Sequence, residues 1–579
     1  MVVVSPEKID QYTRAGWWGH QTLWDLFVHH RAAHPEAEAV VDACNRSDFA
    51  HGVPRRLTWG QLGDEVDRFS TVLHAQGLRS GDIVVIHLPN GVEQYLAYLA
   101  CARLGMIVTP VPVQYREHEL HHVLTITKAV AVLTFTHIGK PGQGHHAAQM
   151  YQLLRQAHPD LRKILAWGPH PTEGVLSIDA IMPVEMTAEL HETLEQAQVD
   201  AAVTANDVFS ICWTSGTEAA PKGVPRSHNE WLVVPPNIID AAELKPGARL
   251  LNPFPFVNMS GLSTALATWL ALGGTVVQHH PFNLTVFLKQ LREESIDYTV
   301  AAPAILNMLL QDPSLLNGID FKRLRRMGSG SAPLSDWMVK GFAEQYGVQI
   351  VNYYGSNEGA ALSGSDLDIP DPGLRAQYFP RLGVDGFDWH SETSRKIKSR
   401  LVDLTTGEDI TQAGQPGELR FSGATVFSGY FRAPELSERT FDDRGFYRTG
   451  DLFEIAGDRL QYYRYVGRSK DLVIRGGVNI SSEEIEGLLA ACPGVREVAI
   501  VGVPDHILGE KICACVVAIE GHALTLEKLV QFLREQQRVA TYKLPEYLLP
   551  VDVLPRNPVG KILKRELREQ AKMLVRGAA

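Results

Sequence analysis

VFSICWTSGTEAAPKGVPRSH, residues 208–228, sets an unbroken apolar run against a loop of small residues that closes on a lysine. Val208, Phe209, Ile211, Cys212 and Trp213 predict a strand buried on both faces of a parallel sheet. Beyond it, Thr214, Ser215, Gly216 and Thr217 leave backbone N–H groups and hydroxyls free to face an anion, and Lys222 adds a compact cation. That combination suits a nucleotide triphosphate. The spacing is not G-x-x-x-x-G-K-[ST], since Pro221 precedes Lys222 and Gly223 comes after it. Taken alone, a Ser/Thr/Gly cluster after a strand is more often an ordinary turn.

A chain of 579 residues exceeds what one hydrophobic core organises, so at least two domains are expected. With 45% apolar and 21% charged residues the composition is that of a globular protein, and a net charge of -11 argues against nucleic acid or an anionic membrane as the main partner. The six cysteines form no CxxC and sit mostly in apolar runs, which implies packed thiols and a cytoplasmic location. No charged residue occurs from Leu250 to Leu288, but Pro253, Pro255, Gly261, Gly273, Gly274 and Pro281 break that stretch into pieces. A buried helix near Leu262–Leu272, lining a pocket, is expected there rather than a membrane span.

Before residue 208 helical and strand patterns alternate: a helix over 58–76, a strand over 83–88, a helix over 92–104, and strands over 107–113, 129–135 and 164–167. Such alternation predicts α/β architecture with a parallel sheet covered on both faces. Further on, Gly328-Ser329-Gly330-Ser331-Ala332-Pro333 can seat a flat ring against backbone or be a plain turn. Tyr353-Tyr354-Gly355-Ser356-Asn357-Glu358-Gly359 places one carboxylate, Glu358, in a turn after a strand over 350–352, as a candidate magnesium ligand. Short strands between Lys396 and Tyr465 predict a small barrel-like subdomain, within which Asp451 on a turn suits a ribose diol. The polar run 467–471 marks a boundary between domains 1–467 and 468–579, the second a small α+β unit with a basic tail, Leu554–Arg565.

Five stretches in this order, TSGTEAAPKG, YYGSNEG, YRTGDL, GRSKDLVIRGGVNISSEEIE and LPRNPVGKILKREL, resemble the motifs of the adenylate-forming superfamily of acyl-CoA synthetases, aryl-acid AMP ligases and luciferases. GWWGHQTLWDLF near the start, YREHEL at 115–120 and the phosphate loop look most like cyclohexanecarboxylate- and medium-chain acyl-CoA ligases. The resemblance implies a large N-terminal domain of layered α/β subdomains with a small β-barrel-like subdomain, and a small mobile C-terminal α+β domain. It implies Thr214, Ser215, Gly216, Thr217 and Lys222 at the triphosphate, Gly330, Ser331 and Ala332 beside the adenine, and Tyr354 stacking on it, with Gly355 and Ser356 adjoining. Glu358, with Thr217, would hold Mg²⁺; Asp451 and Arg468 would hold the ribose. Lys470 would be the hinge, Gly476 and Gly477 would meet the thiol arm, and Lys561 would be the adenylating lysine. Asn258 and Met259, with Gly330, would border the acyl pocket.

Three positions depart from the superfamily pattern. Glu218 and Ala219 replace Thr and Gly in the phosphate loop, Asn258 stands where a His is usual, and Ser482 replaces a common Pro, read as a cap change at the next helix. The implied reaction joins a small apolar carboxylic acid to AMP from ATP with release of pyrophosphate, then passes the acyl group to coenzyme A. A carrier-protein phosphopantetheine is the alternative acceptor, and a homodimer is compatible with the resemblance. A luciferase-like oxygenase and a non-catalytic adenylate-binding protein are the remaining alternatives.

Overall fold

The computed structural model describes residues 1–579 except 141, 170, 215–220, 280, 477, 558, 559 and 579, and the side chains of 478, 479 and 576–578. Ser215, Gly216, Thr217 and Gly477 therefore lie outside the described residues, as do Glu218 and Ala219. The chain forms two compact units. The first takes Met1–Thr214, Lys222–Lys398 and Ser422–Tyr447; the second takes Ser215–Pro221, Ser399–Phe421 and Arg448–Ala579.

In the first unit the alternation of apolar patterns becomes a seven-stranded sheet. Its order is Leu176–Ser177, Lys163–Trp167, Ala131–Phe135, Ile83–His87, Ile107–Pro110, Val208–Trp213 and Gly223–Ser227. All neighbours run parallel except the last pair. Val208–Trp213 is buried at every residue, as a strand covered on both faces must be. A second sheet has eight strands and is parallel through its centre, with antiparallel pairs at both edges: Gln349–Gly355 with Ala361–Gly364, and Glu38–Val41 with Arg56–Thr58.

Helices Leu23–Ala33, Trp59–Ala75 and Val92–Leu104 share one core with the facing sides of both sheets, so they form the layer between them. Leu284–Glu293, Pro303–Gln311 and Asp336–Tyr346 cover the outer side of the eight-stranded sheet, and Glu117–Thr127 and Ala147–Arg155 that of the seven-stranded one. The result is five alternating layers. Thr22 caps the first of the middle helices through a reciprocal pair with Asp25, a motif that contributes about 1 kcal/mol.

The uncharged stretch forms a buried helix, longer than the sequence pattern indicates. It runs Met259–Leu262 as α-helix, widens to a π turn over Ser263–Thr268, and ends as α-helix over Trp269–Leu272. Trp269 stacks on Trp59 with ring centroids 4.6 Å apart, and the Tyr95 hydroxyl donates to the Ala265 carbonyl at 2.9 Å inside the π turn. Each such buried aromatic stabilises the layer by about 2 to 3 kcal/mol. The apolar character serves a protein interior. Among the described residues no helix is long and apolar enough to cross a membrane. All six cysteines are free thiols, and all but Cys44 are buried.

In the second unit, strands Gly417–Gly423, Tyr447–Ala456 and Tyr462–Arg468 are neighbours in one sheet. A separate sheet pairs Val495–Asp505 with Gly509–Ala518 over ten register positions. One of its faces packs on Ser482–Leu489 and Leu526–Gln531, the other on Lys564–Ala578. Ser482 does not cap its helix, in contrast to the reading from sequence. The Ser481 hydroxyl accepts from the Glu484 N–H at 3.1 Å, and Ser482 takes the first helical position, which tolerates proline because its N–H has no helical acceptor.

Candidate active site

The strand Val208–Trp213 ends before Thr214, which pairs with Lys222 across the candidate phosphate loop. The Thr214 N–H donates to the Lys222 carbonyl at 2.9 Å, and the Lys222 N–H donates to Thr214 Oγ1 at 3.1 Å. After Lys222 the chain enters the strand Gly223–Ser227, which pairs antiparallel with Val208–Trp213. Sequence reasoning missed this strand because Pro225 and Arg226 disfavour one. Pro225 is tolerated because the strand lies at the sheet edge. Arg226 is fully buried and donates to three carbonyls: Asn357 at 3.1 Å, Glu230 at 2.6 Å and Thr425 at 3.0 Å.

Gly330 and Tyr353 are partners at the ends of adjacent parallel strands in the eight-stranded sheet. A Cβ at Gly330 would stand 2.3 Å from the Tyr353 carbonyl, so close strand approach accounts for this glycine. Beyond it Ser331 adopts φ of 69°, and Ser331 and Ala332 are exposed. Tyr353, Tyr354 and Gly355 belong to the strand Gln349–Gly355 rather than to a turn, because Ala361–Gly364 extends the pairing to Gly355. Tyr354 is half-buried, in an edge-type contact with Phe379 at 6.2 Å between ring centroids.

The tip of that hairpin carries Ser356, Asn357 and Glu358. Asn357 joins two motifs: its side chain accepts from the Met259 N–H at 2.8 Å and donates to the Trp213 carbonyl at 3.0 Å. The second departure from pattern, Asn258, accepts from the Gly261 N–H at 3.3 Å and so caps the buried helix. Glu358 is buried, and its Oε1 accepts from the Tyr430 hydroxyl at 2.8 Å. Lys222 Nζ sits 4.7 Å from the centroid of the same tyrosine ring. Burial and the Glu358 carboxylate push the Tyr430 phenol well above its ordinary range, so it stays a donor. Ser356 Oγ is buried without a hydrogen-bond partner among the described residues. Tyr430, Arg226 and Asn357 were not singled out from sequence. No local signal in VPRSH, residues 224–228, marks Arg226 as a partner of distant carbonyls.

In the second unit Asp451 lies within the strand Tyr447–Ala456, not on a turn; Gly450, at φ of 71°, breaks the pattern that would have revealed it. Its cross-strand partner is Arg468, with Nε 3.1 Å from Asp451 Oδ1. Lys470 is exposed in the short turn Ser469–Asp471, whose ends are tied by Ser469 to the Gly450 carbonyl at 2.9 Å and by Arg568 to Asp471 at 2.6 Å. Gly476, at φ of 58°, turns the hairpin between Val473–Arg475 and Val478–Ile480, and a Cβ there would meet only Leu508 at 3.7 Å.

Lys561 is held in a tight turn. Its N–H donates to Asn557 Oδ1 at 2.9 Å, its carbonyl accepts from the Asn557 N–H at 2.9 Å, and Gly560 between them has φ of 84°. Lys564 is engaged elsewhere, for its ammonium pairs with Glu486 at 2.8 Å and donates to Ser482 at 2.7 Å, inside the unit. Burial raises the Glu486 carboxyl to about 7 despite that partner.

Residues 27–431 match the AMP-binding enzyme family and residues 484–561 the AMP-binding enzyme C-terminal domain. A medium-chain fatty-acid–CoA ligase of Escherichia coli is 28% identical, over 96% of this chain and 92% of the relative. A 2-hydroxy-7-methoxy-5-methyl-1-naphthoate–CoA ligase of Streptomyces carzinostaticus is 29% identical, over 97% and 95%. The crystal structure of ATP-bound MatB from Rhodopseudomonas palustris is similar at a TM-score of 0.74 and 26% identity, over 95% of this chain and 99% of the other. With Lys222 and the buried Glu358 meeting on Tyr430, and family matches across both parts of the sequence, the chain belongs to the AMP-binding enzyme family, the adenylate-forming acid–thiol ligases.

Proposed function

We propose that this enzyme condenses an apolar carboxylic acid with ATP to an acyl-adenylate, releasing pyrophosphate, and then transfers the acyl group to coenzyme A. The observation that carries this reading is the grouping of the clamped loop ends, Thr214 and Lys222, with the buried Glu358 through one side chain, Tyr430. Joining a carboxylate to a phosphate anion concentrates negative charge. Catalysis therefore needs cations and oriented donors placed before the reaction begins.

Mg²⁺ fits this site. Glu358 has one oxygen fixed by Tyr430, and two residues earlier the buried Ser356 hydroxyl has no hydrogen-bond partner among the described residues; such hard oxygens suit that ion and phosphate oxygens. The ion would draw charge from the phosphate oxygens when bound. Glu358 and Thr217 would hold it, and Thr214, Ser215, Gly216 and Lys222 would hold the phosphates. Gly330, Ser331 and Ala332 would lie beside the adenine with Tyr354 stacking on it and Gly355 and Ser356 adjoining, and Asp451 with Arg468 would hold the ribose. In the second step Gly476 and Gly477 would leave room for a narrow pantetheine arm. The boundary near residue 467 would let the C-terminal domain turn about Lys470 between the steps.

The uncharged, buried helix Met259–Leu272 and Asn258 at its cap support an apolar or cyclic acid, since burying a second charge against them would be costly. The two relatives named as CoA ligases support coenzyme A as acceptor rather than a carrier protein. Packed, unpaired cysteines support a cytoplasmic setting. The test is pyrophosphate release across a panel of aliphatic, alicyclic, aryl, dicarboxylic and amino acids. Uncharged aliphatic, alicyclic or aryl acids should give the highest kcat/KM, by tenfold or more. Preference for a dicarboxylate or an amino acid would refute the apolar pocket.

A further inference from the structure

The segment 427–431 is threaded between the two halves of the proposed phosphate site. At one end the Phe427 N–H donates to the Glu358 carbonyl at 2.9 Å; at the other the Phe431 N–H donates to the Gly223 carbonyl at 2.9 Å, one residue past Lys222. Tyr430 stands between these ties. Its own N–H donates to Ser437 Oγ at 2.8 Å, its hydroxyl reaches Glu358, and its ring faces the Lys222 ammonium.

Each contact constrains a group that would otherwise be free to rotate. A hydroxyl donating to one carboxylate oxygen fixes the plane of the Glu358 carboxylate and commits Oε1, so Oε2 is left for another ligand. An aromatic face under an ammonium holds the end of a four-carbon stem that has many rotamers in solution. A bulky ring of any kind would fill this space. Phenylalanine would keep the face but supply no donor, whereas Tyr430 supplies both, a face for the cation and a hydroxyl donor for the anion. Tyr430 thus stands between two charged groups that would neutralise each other in a direct salt bridge.

We propose that Tyr430 is a positioning residue of the adenylating site, orienting Glu358 for the metal through its hydroxyl and Lys222 for the phosphates through its ring. This rests on the reading of Glu358 and Lys222 given above. Tyr430→Phe separates the two roles, because it keeps the ring and removes the donor. In the full-length protein, Mn²⁺ binding followed by electron paramagnetic resonance with α,β-methylene-ATP should be about tenfold weaker in Tyr430→Phe. Binding of the analogue in metal-free buffer should change less than twofold. Tyr430→Leu should lose both by about tenfold.

A double-mutant cycle with Glu358→Gln separates positioning from packing. If Tyr430 acts through Glu358, the loss of Mn²⁺ affinity in the double variant equals that of Glu358→Gln alone. Additive losses, or Mn²⁺ affinity in Tyr430→Phe within twofold of wild type, would overturn the proposal while leaving the site reading intact. A wild type that binds no Mn²⁺ with the analogue would overturn both.

Discussion

Lys561→Ala is expected to lower acid-dependent pyrophosphate release by at least a hundredfold while converting a supplied acyl-adenylate to thioester near the wild-type rate. The ammonium would bridge the incoming carboxylate and the α-phosphate, an interaction that strengthens as charge builds on the phosphorus oxygens; its loss costs on the order of 3 kcal/mol or more. The turn supports this role. Asn557 pins the backbone of Lys561 on both its N–H and its carbonyl, so the residue is set by the fold of the small unit. The neighbouring Lys564 is committed to Glu486 and Ser482 inside that unit. Lys564→Ala should lower stability and impair both half-reactions together. The two variants are compared by pyrophosphate release, thioester formation from synthetic adenylate, and urea unfolding. If Lys561→Ala keeps most of its pyrophosphate release, or loses both half-reactions equally, the lysine has another role.

Gly359→Ala is expected to cost roughly a hundredfold in adenylation, the effect of moving a catalytic group by about 1 Å. Gly359 has φ of 96°, and a Cβ there would lie 1.8 Å from the Thr425 carbonyl oxygen and 2.9 Å from Arg226 Nη1. Neither neighbour can give way. The Thr425 carbonyl accepts from the fully buried Arg226 guanidinium at 3.0 Å, and the Thr425 hydroxyl donates to the Gly359 carbonyl at 2.9 Å. The hairpin tip must therefore shift, and Glu358 is the adjacent residue. Stability should also fall by more than about 1 kcal/mol, through the left-handed backbone and the clash. Gly347→Ala is the control, since Gly347 has φ of 67° at a helix end with nothing within 4 Å. It should destabilise without changing adenylation. Pyrophosphate release in Gly359→Ala within threefold of wild type would show that Glu358 does not need this backbone position.

The layered core was legible because its signals are local. Val208–Trp213 and Val92–Leu104 have the bounds that their apolar runs predict, for the composition of each element already encodes two buried faces. Local signals fail where distant residues satisfy an unfavourable side chain. Arg226 in a strand reads as an error until the carbonyls of Asn357 and Thr425, more than a hundred residues away, are seen to join the nearby Glu230 carbonyl around it. Tyr430 reads as a loop aromatic, and nothing near it in sequence points to Glu358, 72 residues earlier. The serine pair at the start of the helix Ser482–Leu489 fails for a different reason. Ser481 and Ser482 are equal candidates by type, and only the extended backbone at Ser481 decides which one caps. Thus the motif residues Thr214, Lys222, Glu358, Asp451 and Lys561 could be named in advance. Apart from Arg468, which pairs with Asp451, the groups that fix their geometry had to be found in the fold.

Acyl-adenylate formation followed by thiol transfer is tested most directly by product stoichiometry in the wild-type enzyme supplied with ATP, Mg²⁺ and octanoate, cyclohexanecarboxylate or benzoate. With coenzyme A present, AMP, pyrophosphate and acyl-CoA should appear in equal amounts. Without it, pyrophosphate should appear as a burst of about one equivalent per enzyme, because the adenylate stays bound until a thiol arrives. Formation of ADP and phosphate, or AMP that appears without any acid, would contradict that chemistry.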